Sequence, residues 1–145
     1  MKAPSLPPIF VSNRQRRLKV DAARLQEFAQ RALSFCAREP GRGLTNLEEV
    51  NVILISDRRM AEVHHRFMGI AGPTDVITFQ HGEILISVET ARRQAKTYRT
   101  SLEHELQLYL VHGLLHLRGF NDAKPAEQAQ MKRIQEKIVA RAGQG

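Results

Sequence analysis

Two histidines four residues apart and an aspartate six residues beyond the second, His112, His116 and Asp122 in the run HGLLHLRGFND, have the types and spacing of a divalent-metal site. Four residues of α-helix advance about 400°, so the two imidazoles stand on one face, one turn apart, and can converge on one ion. Gly119 lets the chain reverse after the helix, and three residues later Asp122 offers a carboxylate that can swing back to the same point. Neutral imidazole and carboxylate suit zinc, which in catalytic sites takes three protein ligands and keeps a fourth position open. Two histidines on one helix face also serve as hydrogen-bonded boundary residues, and an aspartate in such a turn is often a cap. The three together, with the glycine between them, favour one zinc ion.

Other residues near this pattern have lesser roles. Glu105, seven positions before His112, falls on nearly the same helix face, where it could orient a ligand from behind or remain an exposed glutamate. His81 is a weaker candidate to line the pocket, and His64, His65 and His104 lack a mutual spacing that would make a site. A zinc protease of the H-E-x-x-H type carries its general base directly after the first histidine, and that position here is Gly113. Peptide hydrolysis is disfavoured accordingly.

The elements that must hold these residues follow from local pattern. Ile9-Phe10-Val11 reads as a short strand. Asp21 is a good N-cap for a helix whose Leu25, Phe28, Ala29, Ala32, Leu33 and Cys36 recur at helical spacing, ended by Pro40-Gly41. Glu49 to Ser56 reads as a central strand covered on both faces, and Asp57 as the cap of a second helix to about Phe67. Val76 to Phe79 and Glu83 to Ser87 form an antiparallel hairpin across Gln80-His81-Gly82. Glu89 to Tyr98 is a helix with its basic residues outward. Thr100 and Glu103 match a capping box at the head of the metal-bearing helix, about Ser101 to Leu117, closed by Gly119. A last amphipathic helix runs from about Pro125 to Ala142. The fold class is therefore α+β: a single domain over residues 1–145, with a small mixed β-sheet, an antiparallel hairpin and about five helices packed on it. Residues 101–122 carry the metal-site helix and turn. No glycine-rich phosphate loop follows any strand, which leaves a nucleotide-binding fold little support.

The chain has 145 residues, 42% of them hydrophobic, which suffices for one real core. The start of the chain has no apolar leader segment and no stretch approaches a membrane span, so a cytoplasmic protein without a membrane partner is expected. The lone Cys36 lies on an apolar stripe and reads as a small buried hydrophobe. The net charge is +7 and the pI about 10.2, a balance compatible with a polyanionic partner. Residues 1–47 hold nine Lys or Arg against three acids, while residues 48–145 hold thirteen against twelve, so the basic surface is mostly N-terminal. Within it Arg14, Arg16, Arg17 and Lys19 could grip phosphates, or form a solvated loop between two elements.

The run HGLLHLRGFND resembles the H-G-x-L-H-L-x-G-Y-D-H signature of the YbeY family of rRNA maturation factors, zinc endoribonucleases. Pro73-Thr74-Asp75-Val76-Ile77-Thr78-Phe79 resembles that family's P-T-D-V-L-S-F, Gly82 to Ser87 its G-D-I strand, and Glu89 to Ala95 its following helix, in the same order over about residues 50–140. The resemblance implies a mixed sheet with flanking helices and a metal at the three signature positions. It also implies work on the 3′ end of small-subunit rRNA and in ribosome quality control. The implied partners are rRNA and the small ribosomal subunit, with a ribosomal protein or assembly GTPase as further ones. Carried over by position, the first two ligands are His112 and His116, and the family's third histidine falls on Asp122. Where the family has arginine in R-G-x-x-x-P-T, this chain has Met68-Gly69, leaving Arg66 as the nearby candidate for a phosphate contact. The segment between Phe79 and Gly82 is also shorter than the family's, so a different pocket rim is expected.

A zinc-dependent endoribonuclease is the function this pattern supports. The alternatives are a noncatalytic or weakly active zinc-binding ribosome-assembly factor, favoured by the Met68 and Asp122 departures, and a zinc hydrolase of another substrate class. No general base is evident in the sequence.

Overall fold

The computed structural model describes residues 5–143; residues 1–4, part of the stretch read above as lacking a leader, lie outside them. Nine elements follow in chain order: β1 (Ile9–Asn13), α1 (Ala22–Arg38), β2 (Val50–Ile55), α2 (Asp57–Met68), β3 (Val76–Phe79), β4 (Glu83–Ser87), α3 (Val88–Tyr98), α4 (Leu102–Arg118) and α5 (Pro125–Ala142). The strands form one mixed sheet in the order β1-β2-β4-β3. β1 and β4 flank β2 in parallel, and β3 pairs antiparallel with β4, Val76 opposite Ile86 and Phe79 opposite Glu83. This is the α+β architecture expected from the sequence, with five helices and the hairpin in place.

The two sheet faces are unequally covered. On one face Val50, Val52, Leu54, Ile84 and Ile86 merge with α1, α4 and α5 into the main core. α4 runs through its middle, with Leu106, Leu110, Leu114 and Leu115 almost wholly buried. Each such leucine contributes on the order of 2 kcal/mol of burial, so Leu114→Ala would cost about 2–5 kcal/mol. On the other face, among the described residues, α2 alone packs, through Met60 and Val63, against Ile55, Ile77 and Leu85. β2 is therefore central but not covered on both faces: Asn51 and Ile53 stay half-exposed, because one short helix is too narrow to roof the sheet.

Two cap assignments shift by one residue. Ser56, not Asp57, caps α2, its hydroxyl accepting from Arg59 N at 3.2 Å. Ser101, not Thr100, caps α4 by accepting from His104 N at 3.0 Å, and Glu103 pairs with Arg24 instead. Adjacent hydroxyl and acidic residues offer competing caps, and the packing of each helix decides between them. Asp57, released from capping, accepts hydrogen bonds from Ser87 Oγ at 2.5 Å, Thr90 Oγ1 at 2.8 Å and Arg93 at 2.6 Å, tying the start of α2 to the start of α3.

Candidate metal centre

Gly113 sets the height of α4 over the sheet. A Cβ at this position would lie 2.7 Å from Ile84 Cγ2 and 2.8 Å from its Cδ1, so only glycine lets the helix approach β4 this closely. The glutamate of a protease motif would have no room there. On either side of this contact His112 and His116 are carried to the rim of the helix, their side chains 26% and 22% exposed, beside the edge strand β3.

α4 ends in a left-handed turn at Gly119, φ +108°, with Gly119 N donating to His116 O and Phe120 N to Leu115 O. The same turn does two further things. It points the Phe120 carbonyl at His116 Nδ1, 3.0 Å away, and it brings Asp122 Oδ2 to 3.4 Å from each Nε2 of the two histidines. From α5, the Gln135 amide oxygen lies 2.9 Å from His112 Nδ1.

These contacts fix the tautomers. A carbonyl oxygen can only accept, so both Nδ1 atoms carry hydrogen and both Nε2 atoms of the neutral rings present lone pairs. Those Nε2 atoms lie 3.0 Å apart with the Asp122 oxygen closing the triangle, so three electron-rich atoms converge on one point. Burial, and then the neighbouring His116, hold His112 below the ordinary histidine range, which keeps its lone pair available. With metal–ligand bonds of 2.0–2.1 Å, the edge of a tetrahedral site is about 3.3 Å, and the observed sides of 3.0, 3.4 and 3.4 Å match one face of it. The donor set fits a small divalent cation.

The triad opens into a pocket of about 310 Å³ whose wall is Asp75, Val76, Thr78 and Gln80, with Met68 at the rim. Asp75 lies close enough for its charge to be felt at His112, and its Oδ1 is held by Val76 N at 2.8 Å. Two carboxylates thus line the pocket and no lysine or arginine does, among the described residues.

The other sequence candidates fall elsewhere. Arg66 is exposed on the last turn of α2 with its guanidinium over the Phe67 ring, 5.6 Å from the centroid, and does not line the triad's pocket. Glu105 is not exposed: it is buried in the first turn of α4, without a hydrogen bond to either histidine. His81 lies across β3, where it stacks on Phe79 and pairs with Glu83 at 2.8 Å. Arg14, Arg16, Arg17 and Lys19 are exposed on the loop after β1, which the buried Gln15 shapes by accepting from Arg17 N and Leu18 N and donating to Leu18 O. Gln135 and the Phe120 carbonyl, which orient the two imidazoles, are not among the candidates that the sequence offers. Only the position of Gln135 on the inner side of the last amphipathic helix could have suggested it.

A family model described as endoribonuclease YbeY matches residues 10–143. A curated relative named endoribonuclease YbeY from Frankia alni is 34% identical, across 91% of this chain and 81% of that protein. One of the same name from Salinispora tropica is 36% identical across 68% of this chain and 76% of its own length. The solution structure of a protein from Thermotoga maritima is similar with a TM-score of 0.66 and 26% identity, covering 92% of this chain and 88% of that one.

Proposed function

The chain belongs to the YbeY family, and on that premise we propose that it is a zinc-dependent endoribonuclease that processes rRNA at the 3′ end of the small-subunit species and serves ribosome quality control. The observation that carries this reading is the convergence of two Nε2 atoms and one carboxylate oxygen, with each Nδ1 facing a carbonyl oxygen. His112, His116 and Asp122 would hold the ion. Zinc bound there would supply Lewis-acid polarisation of a phosphoryl oxygen and a more acidic water.

The chain's own residues do the rest. Gln135 and the Phe120 carbonyl hold the imidazoles so that each ligand atom faces the pocket, which lowers the reorganisation needed on binding. Asp75 and Asp122 together offset the charge of a divalent ion, so the pocket attracts phosphate less strongly than a site with neutral ligands would. RNA must then be drawn in from outside the pocket, and Arg14, Arg16, Arg17 and Lys19 supply a basic loop for that purpose. rRNA and the small ribosomal subunit are the proposed partners, and a ribosomal protein or assembly GTPase would join them there. No helix of the described residues is long and apolar enough to cross a membrane.

Metal content and cleavage of rRNA fragments, compared between the parent and His116→Ala, test the reading. One zinc per chain with cleavage lost in the variant is expected. Absence of bound metal would overturn the site. A second reading, a noncatalytic zinc-binding assembly factor, is favoured by one observation: α2 contributes Met68, 50% exposed, to the pocket rim and no cation. Stoichiometric zinc without cleavage would establish it.

A further inference from the structure

The half-open sheet face carries a second concavity, a groove of about 580 Å³ between α2 and strands β2, β4 and β3. Its floor is apolar, but its wall is aromatic: Phe67 meets Phe79 edge to face at 5.3 Å between centroids, and His81 stacks on Phe79 at 5.7 Å. Arg14 and Arg59 line it, and the Arg66 guanidinium covers one side of Phe67. Glu83 Oε1, paired with His81, puts one acceptor inside it. Phe67 is 59% exposed, an uncommon placement for so large an apolar ring.

β3 separates this groove from the triad's pocket by its own pleat. Val76 and Thr78 line the pocket with His112 and His116, and Ile77 touches it as well, while Phe79 lines the groove and packs with Ile77 on the α2 side of the sheet. A strand of RNA crossing the outer edge of β3 could therefore place a phosphate on one side and the adjoining base on the other.

We infer that the groove formed by Phe67, Phe79, His81 and Glu83, with Arg14 and Arg59 at its rim, is a binding subsite for an unpaired nucleobase of single-stranded RNA. This rests on the ribonuclease reading above. The aromatic wall stacks the base without regard to sequence, as in single-strand binding proteins generally. The Glu83 carboxylate repels phosphate but accepts from a base's exocyclic amine or ring N–H, so the base rather than the backbone occupies the interior. The arginines meet the flanking phosphates. Among the described residues the Arg59 guanidinium is held by an exposed pair with Glu62 at 3.0 Å, which costs little to release. An apolar protein segment would gain nothing from the guanidinium groups of Arg14 and Arg59.

The chain has no tryptophan, so Phe67→Trp places a single fluorophore in the groove. Titration with a short single-stranded RNA is expected to quench its emission, and an abasic strand of the same length and charge is not. In anisotropy at fixed salt, Phe67→Ala should bind the intact RNA about tenfold more weakly or worse and the abasic strand unchanged. Arg14→Ala should reduce the salt slope by about one counterion. Equal affinity of the parent for intact and abasic strands, or tight RNA binding by Phe67→Ala, would overturn the inference. So would a blue shift of the Phe67→Trp emission with rising protein concentration and no RNA, which would show a second copy covering the groove. If these arms fail while zinc-dependent cleavage by the parent persists, the groove assignment alone falls. If cleavage and metal are also absent, the ribonuclease reading falls with it.

Discussion

Gln135→Leu removes one atom that matters and little else. The leucine keeps the apolar bulk of a half-buried α5 side chain and deletes the oxygen that accepts from His112 Nδ1 at 2.9 Å. Without metal, the loss is that of one partly buried hydrogen bond, about 1 kcal/mol. With zinc the loss is larger, because the ring is no longer held in the tautomer and orientation that aims Nε2 into the pocket. Partners of this kind are worth roughly 10–100-fold in metal affinity, or about 1.4–2.7 kcal/mol. Competition against a chromophoric chelator should show zinc Kd raised by that factor, and thermal unfolding should show the zinc-induced stabilisation reduced by the matching free energy at equal free zinc. Gln128→Leu, on an exposed position of the same helix, is the control and should leave Kd unchanged. Equal zinc Kd for Gln135→Leu and the parent would refute the argument that the α5 contact orients His112.

Two further substitutions probe what holds the site in place. Gly113→Ala forces a methyl into Ile84 and should destabilise the fold by about 1–3 kcal/mol in denaturant titration, and the double variant with Ile84→Ala should lose less than the sum of the two single substitutions. Asp57→Asn should cost about 2 kcal/mol at neutral pH, because the carboxylate that accepts from Ser87, Thr90 and Arg93 is gone. Burial alone would raise the Asp57 carboxyl, but the hydrogen bonds from Arg93, Ser87 and Thr90 outweigh it and hold the group below its ordinary value of 3.8. The folded state thus binds this proton less readily than the unfolded one. The stabilisation is present above about pH 4 and lost as pH falls through the lower folded value, so the parent and Asp57→Asn should converge in stability in strong acid.

The candidate metal ligands were legible because they are local. Helix geometry fixes His112 against His116, and a glycine turn of known hand limits where Asp122 can go. The element order was legible for the same reason, since hydrophobic period and turn residues act over a few positions. What lay beyond the sequence depended on distant packing. Gln135 reaches His112 only because α5 folds back over α4. Arg66 and Met68 lie two positions apart on one helix, and their spacing alone cannot say which of them faces the triad's pocket. His81, a weaker candidate to line the pocket, lies across β3 because the hairpin's alternation sends it to the other face with Phe79. The apolar run of β2 suggested two covered faces, whereas the number of helices available for each face is a property of the whole topology.

The turn after α4 also bears on the order in which the protein assembles. His112, His116, Phe120 and Asp122 span eleven residues of one helix and its end, so little chain entropy is spent in bringing them together. The groove draws on Arg14, Phe67 and Phe79 from three separate parts of the chain and exists only when the sheet is complete. These four residues can therefore come together ahead of the rest of the molecule, and zinc uptake by a truncated or damaged chain, weaker for want of Gln135, would report on α4 and its turn rather than on an intact fold.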